Sequence, residues 1–208
     1  RDMGAPRLGV MIGAGNLDSM VAHYTASKHK RREDFYSPGK KMGLRPDRAV
    51  IVYANRAREA FGPDVPIVIG SLEASLRRFA HYDYWEDKVR RSVIFDAKAD
   101  LLVYGMGEYA TIEIAKALKK KKPMAQAHGD RYLVVNPPAM PLSREELDRV
   151  AELPYTREVH PMYDAMGGVP AIEEVRFSVI HNRGCFGGCN FRALAFHQGR
   201  MVTSRSHE

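Results

Sequence analysis

The sequence is poor in cysteine and in long apolar runs, and each shortage excludes a class of protein. It holds only two cysteines in 208 residues, which excludes a disulfide-rich secreted scaffold. It holds no run of about 18 apolar residues, which excludes a transmembrane helix. The opening residues Arg1 to Pro6 also lack the apolar centre of a signal peptide. We therefore expect a cytoplasmic protein without a membrane partner, whose two thiols stay reduced and act as ligands or reactive groups.

An initiator methionine is also missing, and the sequence stops at Glu208, soon after Cys189. We expect from this that the chain is a fragment of a longer protein. What is present suits a globular fold, because 45% of the residues are hydrophobic. That content is enough for the core of one large or two small domains.

Positive charge is in excess, with a formal net charge of +7. It is concentrated in three clusters, Lys28–Arg32, Lys40–Lys41 and Lys119–Lys122. The last cluster also suits a helix end, where lysines complement the helix dipole. One hypothesis is therefore a basic α/β module that binds RNA or another polyanion through Lys28–Arg32, Arg77, Arg78 and Trp85. For the aromatic cluster His81–Trp85 we favour packing at a domain edge over the stacking of a base.

Apolar runs that mostly end in glycine alternate with segments of helical periodicity along most of the chain. We predict strands at four runs, Arg7–Gly13, Val65–Gly70, Asp100–Gly105 and Tyr132–Val135. Helices are predicted at Leu17–Tyr24, Asp47–Phe61 with Asp47 as N-cap, Ser71–Phe79, the segment after Glu108, and Ser143–Leu153 with a capping box. This order predicts an α/β fold with a doubly wound parallel sheet. Gly13, Gly70 and Gly105 should share the sheet edge at which such folds bind ligands.

A second unit is predicted towards the end of the chain. Prolines and adjacent glycines mark residues 154–174 as a linker between a first domain, 1–153, and a second region, 175–208. Apolar and polar residues alternate at Arg176–His181, which predicts a strand. We expect this strand to lie outside the first sheet.

The two cysteines lie in a glycine-rich loop, Arg183–Cys189, after that predicted strand. Its glycines let the backbone wrap closely around a bound group, so we expect an inorganic centre. One alternative is a zinc site built from both cysteines and two of His181, His197 and His207. Another is a pair of ordinary buried thiols.

The spacing Cys185-x-x-x-Cys189-x-Phe191 resembles the opening of the radical S-adenosylmethionine (SAM) signature, C-x3-C-x-aromatic-C. Together with the stretch Ala195–Arg200, the loop resembles the YgiQ-like radical SAM proteins. Three upstream stretches resemble the same family, namely Ala14–Met20, Glu73–Trp85 and Tyr104–Glu108. The resemblance extends over nearly the whole chain.

This resemblance implies a cobalamin-binding-like domain, followed by the first strand and cluster loop of a truncated radical SAM partial barrel. It implies a [4Fe-4S] cluster held by Cys185 and Cys189, with Phe191 shielding the cluster or lying near the adenine of SAM. A reductant such as flavodoxin or ferredoxin would supply one electron, and SAM would be cleaved to a 5′-deoxyadenosyl radical. The substrate is unknown. The sequence has no Asp-x-His-x-x-Gly motif, so the domain type does not imply bound cobalamin.

One position departs from the family pattern, because Arg192 stands where the third cysteine is expected. Cluster iron takes soft thiolate ligands, whereas guanidinium is permanently protonated and donates no lone pair. We therefore expect little or no cluster in this chain. His197 is the nearest downstream side chain that could replace the missing ligand.

Overall fold

The fold is that of a computed structural model, which describes residues 4–15, 17–120, 134–189 and 192–207. The chain forms two compact units, one from residues 1–16 and 48–140 and the other from 17–47 and 141–208. This division differs from the predicted boundaries, because 17–47 groups with the later part of the chain. The boundaries at 153 and 175 stay a prediction about the family's domains. Within the described ranges, none of the helices is long and apolar enough to cross a membrane.

The elements are short. The strands are β1 Val10–Ile12, β2 Ile67–Ile69, β3 His81–Asp83, β4 Lys88–Arg90, β5 Leu101–Leu102, β6 Asn182–Arg183 and β7 Thr203–Ser204. The α-helices are α1 Ser19–His23, α2 Ala49–Phe61, α3 Ser71–Leu76, α4 Val93–Ala97, α5 Glu108–Lys119, α6 Arg144–Ala151, α7 Ile172–Val175 and α8 Leu194–Gln198. Two 3-10 helices cover Pro38–Lys40 and Pro161–Met166.

The first unit is built on a parallel sheet of three strands in the order β1-β2-β5. Ile67, at the start of the central strand β2, lies opposite Val10 of β1, and Ile69, at its end, lies opposite Leu102 of β5. All three residues of β2 are buried, and Val50 of α2 belongs to the same core cluster as the two isoleucines. An unbroken apolar run is what a central parallel strand needs. The predicted parallel sheet is confirmed for these three strands.

The fourth predicted strand, Tyr132–Val135, falls partly outside the described residues, which do not include Tyr132 and Leu133. Val134 and Val135 are described; they have no regular secondary structure, and their exposed fractions are 78% and 45%. Two exposed valines cannot contribute to a sheet core. The prediction of a strand is therefore wrong for Val134 and Val135.

The glycines predicted to share one sheet edge follow the carboxyl ends of the three strands. Gly13 and Gly70 come directly after β1 and β2, and Gly105 lies shortly after β5. Helix α3 ties this edge together with two serines one turn apart. Ser71 Oγ accepts the Ala14 N–H at 3.3 Å, and Ser75 Oγ accepts the Gly105 N–H at 3.2 Å. The predicted common edge is confirmed.

Helix α2 begins differently from the prediction. Asp47 is not its N-cap; the cap position is Arg48, in the left-handed conformation with φ 50°. The orphan N–H of Val50 is satisfied instead by Glu73 of α3, whose Oε1 accepts it at 3.1 Å and whose side chain is buried. A carboxylate near the positive end of the helix dipole is favourable, whichever element supplies it.

The aromatic cluster His81–Trp85 belongs to a β-hairpin that was not predicted. Strands β3 and β4 pair antiparallel with Tyr82 opposite Val89, and both of these side chains are exposed, at 59% and 73%. Tyr84 and Trp85 pack edge to face at 5.3 Å. The expected packing is therefore present for part of the cluster only.

The second unit confirms the predicted capping box. Ser143 Oγ accepts the Glu146 N–H at 3.3 Å, and Glu146 Oε2 accepts the Ser143 N–H at 2.8 Å, at the start of α6. The predicted linker, 154–174, is more ordered than expected. It contains the second 3-10 helix, and the Gly168 carbonyl accepts the Gly39 N–H at 2.8 Å.

The strand predicted at Arg176–His181 is wrong. Helix α7 ends at Val175, a turn follows, and the next strand is β6 at residues 182–183. The alternating residues are strongly exposed, with Phe177 at 91% and Val179 at 76%. Alternating residues form a strand where a neighbouring strand supplies the hydrogen-bond ladder. Here, within the described part of the chain, only the last residue has such a contact, because the His181 carbonyl accepts the Arg205 N–H at 2.9 Å, next to the β6–β7 pair.

Candidate metal centre

The cysteine loop is carried by a small hairpin and a short helix of the second unit. Strand β6 leads into the loop and pairs antiparallel with β7, and α8 lies between them in sequence. Asp148 of α6 holds the residues that directly follow β7. Its carboxylate accepts hydrogen bonds from Arg205 Nε at 3.3 Å and Ser206 N at 3.2 Å. The loop is therefore held at its base by α6.

Three hydrogen bonds fix the path of the loop itself. The Gly184 N–H donates to Gln198 Oε1 at 3.0 Å, and the Cys185 N–H donates to the Gly199 carbonyl at 3.1 Å. Arg200 donates from Nη2 to the Phe186 carbonyl at 3.2 Å. Arg200 thus places a fixed positive charge against the middle of the loop.

Gly184 is required by the geometry of the loop entrance. Its φ is +86°, a region that side-chain-bearing residues rarely adopt, and a Cβ there would overlap the Met201 carbonyl oxygen. The first loop glycine therefore has a structural role that any larger residue would disturb.

The two sulfurs lie on the same side of the loop, next to Gly187. A Cβ added to Gly187 would lie 3.3 Å from Cys185 Sγ and 3.8 Å from Cys189 Sγ. A Cβ on the next residue, Gly188, would contact nothing within 4 Å. Both cysteines are free thiols, with Cys185 half-buried and Cys189 exposed. The loop brings the two predicted ligands together and leaves them accessible.

Within the part of the chain that it describes, the structure does not bring the other predicted site residues into a group with the two cysteines. Phe191 lies outside the described residues. Arg192 is exposed just before α8, and His197 lies within α8. The rings of His181 and His207 lie 6.1 Å apart. Across the described ranges no group of three or more His, Cys, Asp or Glu side chains could hold a metal ion, so the zinc hypothesis gains no support there.

The donor set fits a three-thiolate cluster only in part. Cys185 and Cys189 place two thiol sulfurs near Gly187, whereas Arg192 supplies a cation at the third position of the motif. Because guanidinium cannot ligate iron, the residues present do not complete the ligand set of such a cluster.

A buried polar cluster in the same unit was missed by the sequence analysis. His23 of α1 is buried, with Nδ1 2.7 Å from Asp47 Oδ1 and Nε2 3.8 Å from Asp34 Oδ2. Asp34 is buried too, and it accepts a two-pronged interaction from Arg45 at 2.8 and 2.9 Å and a hydrogen bond from Ser37 at 2.6 Å. Asp34, Ser37 and Arg45 lie between two predicted helices, in a stretch for which no element was predicted, and only their mutual spacing in the fold identifies them.

Two carboxyl groups of this cluster have shifted pKa values. Burial raises the pKa of Asp34, but the hydrogen bonds from Arg45 and Ser37 outweigh it and hold the pKa below its ordinary value. Burial likewise raises the pKa of Asp47, and the hydrogen bonds from Tyr24 and His23 more than offset it, so this pKa is also lowered. Both groups are stabilised as carboxylates. The cluster therefore fastens the segment 34–47 to α1.

The residues of the polyanion hypothesis are partly engaged within the chain. Lys28–Arg32 is exposed in the second unit. In the first unit, the Arg78 guanidinium lies 4.9 Å from the Phe79 ring and 4.7 Å from the Tyr104 ring, and Arg77 donates to the Glu73 carbonyl. Binding of RNA stays a prediction that no contact here favours.

Comparison with known proteins identifies the family. Residues 1–126 and 120–178 match the sequence profile described as Radical SAM N-terminal. The chain is 45% identical to a UPF0313 protein of Clostridium botulinum strain 657 over an alignment of 265 residues, which covers 100% of this chain and 41% of that protein. It is also 45% identical to a UPF0313 protein of Clostridium perfringens strain 13, covering 100% of this chain and 40% of the relative. No solved structure gives a significant match.

Two features of these matches bear on the site. The chain spans about two fifths of the length of the curated relatives it matches. The family profile stops at residue 178, ahead of the cysteine loop, whereas the alignments with the relatives include the loop because they cover the whole chain. In agreement with the resemblance of its motifs to YgiQ-like radical SAM proteins, the chain belongs to the Radical SAM N-terminal family.

Proposed function

We propose that this chain is the N-terminal part of a radical SAM enzyme and that its cysteine loop contributes Cys185 and Cys189 as thiolate ligands of a [4Fe-4S] cluster. The observation that carries the proposal is the convergence of the two sulfurs beside Gly187, in a chain of the Radical SAM N-terminal family. Soft thiolates at this spacing are the ligand type that iron–sulfur clusters require. The substrate is not part of the proposal.

Cys185 and Cys189, together with a third ligand, would hold such a cluster, and it would supply the electron for the reductive cleavage of SAM. The residues of this chain supply two thiolates, an accessible loop and the positive charge of Arg200. Arg192 leaves the third ligand position unfilled. The chain with arginine at this position therefore holds little or no cluster, and restoring cysteine there restores it.

The remaining family features are part of the same proposal. By the family resemblance, Phe191 would shield the cluster or lie near the adenine of SAM, and flavodoxin or ferredoxin would be the reductant. The first unit, with its parallel β1-β2-β5 sheet, is the counterpart of a doubly wound, cobalamin-binding-like domain. The three-stranded parallel sheet with glycines at its carboxyl edge supports this assignment.

The test uses a protein of the relatives' full length that carries either arginine or cysteine at position 192. Each form is reconstituted with iron and sulfide without oxygen and reduced chemically, and 5′-deoxyadenosine is measured after SAM is added. We expect product from the cysteine form and at most traces from the arginine form. Equal cleavage by both forms would contradict the role given to position 192, and cleavage by neither would contradict the radical SAM assignment.

A further inference from the structure

We propose that Cys185 and Cys189, in the chain as it stands with Arg192, form a two-thiolate site for the monovalent soft cation Cu(I). This inference concerns a metal that needs no third ligand. It does not rest on the proposed iron–sulfur function, and it can fail while that function holds.

Both sulfurs lie near one point. They are within van der Waals range of the position that a Gly187 side chain would occupy, at 3.3 and 3.8 Å. Metal–thiolate bonds are about 2.3 Å long, so one ion joins the two sulfurs if their side chains rotate towards that point. The missing side chain of Gly187 keeps that space open.

The number of ligands selects the metal. Zn²⁺ in protein sites takes four ligands, and no third His, Cys, Asp or Glu joins the two cysteines among the residues that the structure describes. Thiolates are soft ligands that select Cu(I) over hard cations. Cu(I) is stable with two thiolates alone, and the pair therefore suits it better than a metal that requires a closed tetrahedral site.

Charge also favours this occupant. Binding releases the two thiol protons to solvent, so a bis-thiolate Cu(I) complex carries one net negative charge. Arg200 holds its guanidinium against the Phe186 carbonyl, at the centre of the same loop. A fixed cation there offsets the charge of the complex. Because Cys189 is exposed, the ion can enter without opening the fold.

The experiment titrates Cu(I) into the reduced, iron-free chain without oxygen, in competition with a chromophoric Cu(I) chelator. A parallel titration uses Zn²⁺ with a zinc chelator of matched affinity. The variants are Cys185→Ser, Cys189→Ser and Gly187→Ala, with Gly188→Ala as the matched control because its added methyl meets nothing. Arg200→Gln tests the charge contribution, and Arg200→Lys tests its rescue.

We expect one Cu(I) per chain and at least about tenfold weaker binding in each cysteine variant. Gly187→Ala should bind more weakly than the parent chain, because its methyl group would press on Cys185 Sγ. Gly188→Ala should bind like the parent chain, and Arg200→Gln should bind a few-fold more weakly than Arg200→Lys. Cu(I) retained in both cysteine variants would overturn the proposal, since other groups would then hold the ion. Zn²⁺ bound as tightly as Cu(I) would overturn the two-coordinate assignment. Iron uptake by Arg192→Cys, measured separately, shows whether the iron–sulfur proposal stands or falls on its own.

Discussion

The parallel sheet of the first unit and the cysteine loop of the second are held together by different means. Strand β2 is buried at every residue and packs within a core of aliphatic side chains. The loop exposes Cys189 and Phe186 and is fixed by a few hydrogen bonds and by glycines. The sheet gains its stability from buried apolar area, whereas the loop is shaped for access to its sulfurs. Stability and metal binding should therefore respond to different substitutions.

The largest effect should come from the core. Ile69→Ala removes a fully buried side chain from β2 and leaves a cavity, so it should lower the free energy of unfolding by about 2–5 kcal/mol. Denaturant unfolding followed by circular dichroism measures this loss. Val89→Ala is the control, because Val89 is 73% exposed and should change stability little. If Ile69→Ala still folds but no longer binds metal, the claim that stability and metal binding depend on different residues is contradicted.

The next effect concerns the cap that α3 provides for α2. Glu73→Ala leaves the buried Val50 N–H without the Glu73 carboxylate, which should cost about 1–3 kcal/mol. Glu73→Gln keeps an oxygen acceptor and should cost less. The comparison uses the same denaturation assay, with Glu59→Ala as an exposed control. Equal losses for alanine and glutamine would show that the negative charge of the carboxylate, rather than an oxygen acceptor for the Val50 N–H, sets the cost.

A third effect depends on pH and tests the buried polar cluster of the second unit. The folded pKa of Asp34 lies below its ordinary value of 3.8, so the ionised form is favoured in the folded chain. Its contribution is present above that ordinary value and is lost as the pH falls towards the folded pKa. Asp34→Asn should reduce stability by about 1–3 kcal/mol at neutral pH, and the difference from the parent should shrink in acid. A difference that stays constant with pH would contradict this role, and Asp64→Asn serves as an exposed control.

The smallest effect is local. Ser143→Ala removes the side chain that accepts the Glu146 N–H and should destabilise α6 by about 1 kcal/mol. Ser143→Thr keeps the hydroxyl and should restore most of that loss. Because α6 also anchors the hairpin of the cysteine loop through Asp148, protection of the β6–β7 amides from hydrogen exchange reports whether the loss spreads. No change in either measurement would show that the capping box is dispensable.

Sequence patterns predicted the parts of the fold in which local sequence and tertiary contacts agree. Val65–Gly70 reads as a buried strand and contains β2, and Ser143–Glu146 reads as a capping box and forms one. The cap of α2 could not be predicted, because Glu73 is distant in sequence from the N–H group it satisfies. The strand predicted at Arg176–His181 is wrong although its local sequence pattern is clear. Its alternation is real, but among the described residues only His181, at its end, bonds to the chain next to β7.

Only the part of the candidate site that belongs to the cysteine motif was predicted from the sequence. The spacing of Cys185 and Cys189 predicted two ligands, and the loop places both sulfurs beside one glycine. Their role as ligands stays a prediction. The cluster of His23, Asp34, Asp47 and Arg45 had no such signal, because its members are scattered along the sequence. The burial of His23 and Asp34 depends on how the polar segment after α1 folds back on that helix, which composition does not reveal.

We propose that Cys185 and Cys189 form two corners of a metal site whose third corner is position 192. The most direct test is the iron content of this chain after anaerobic reconstitution, in the parent, in Arg192→Cys, and in Arg192→Cys combined with Cys189→Ser. We expect about four irons per chain in Arg192→Cys only, and little iron in the other two. Four irons in the parent chain, or none in Arg192→Cys, would contradict it.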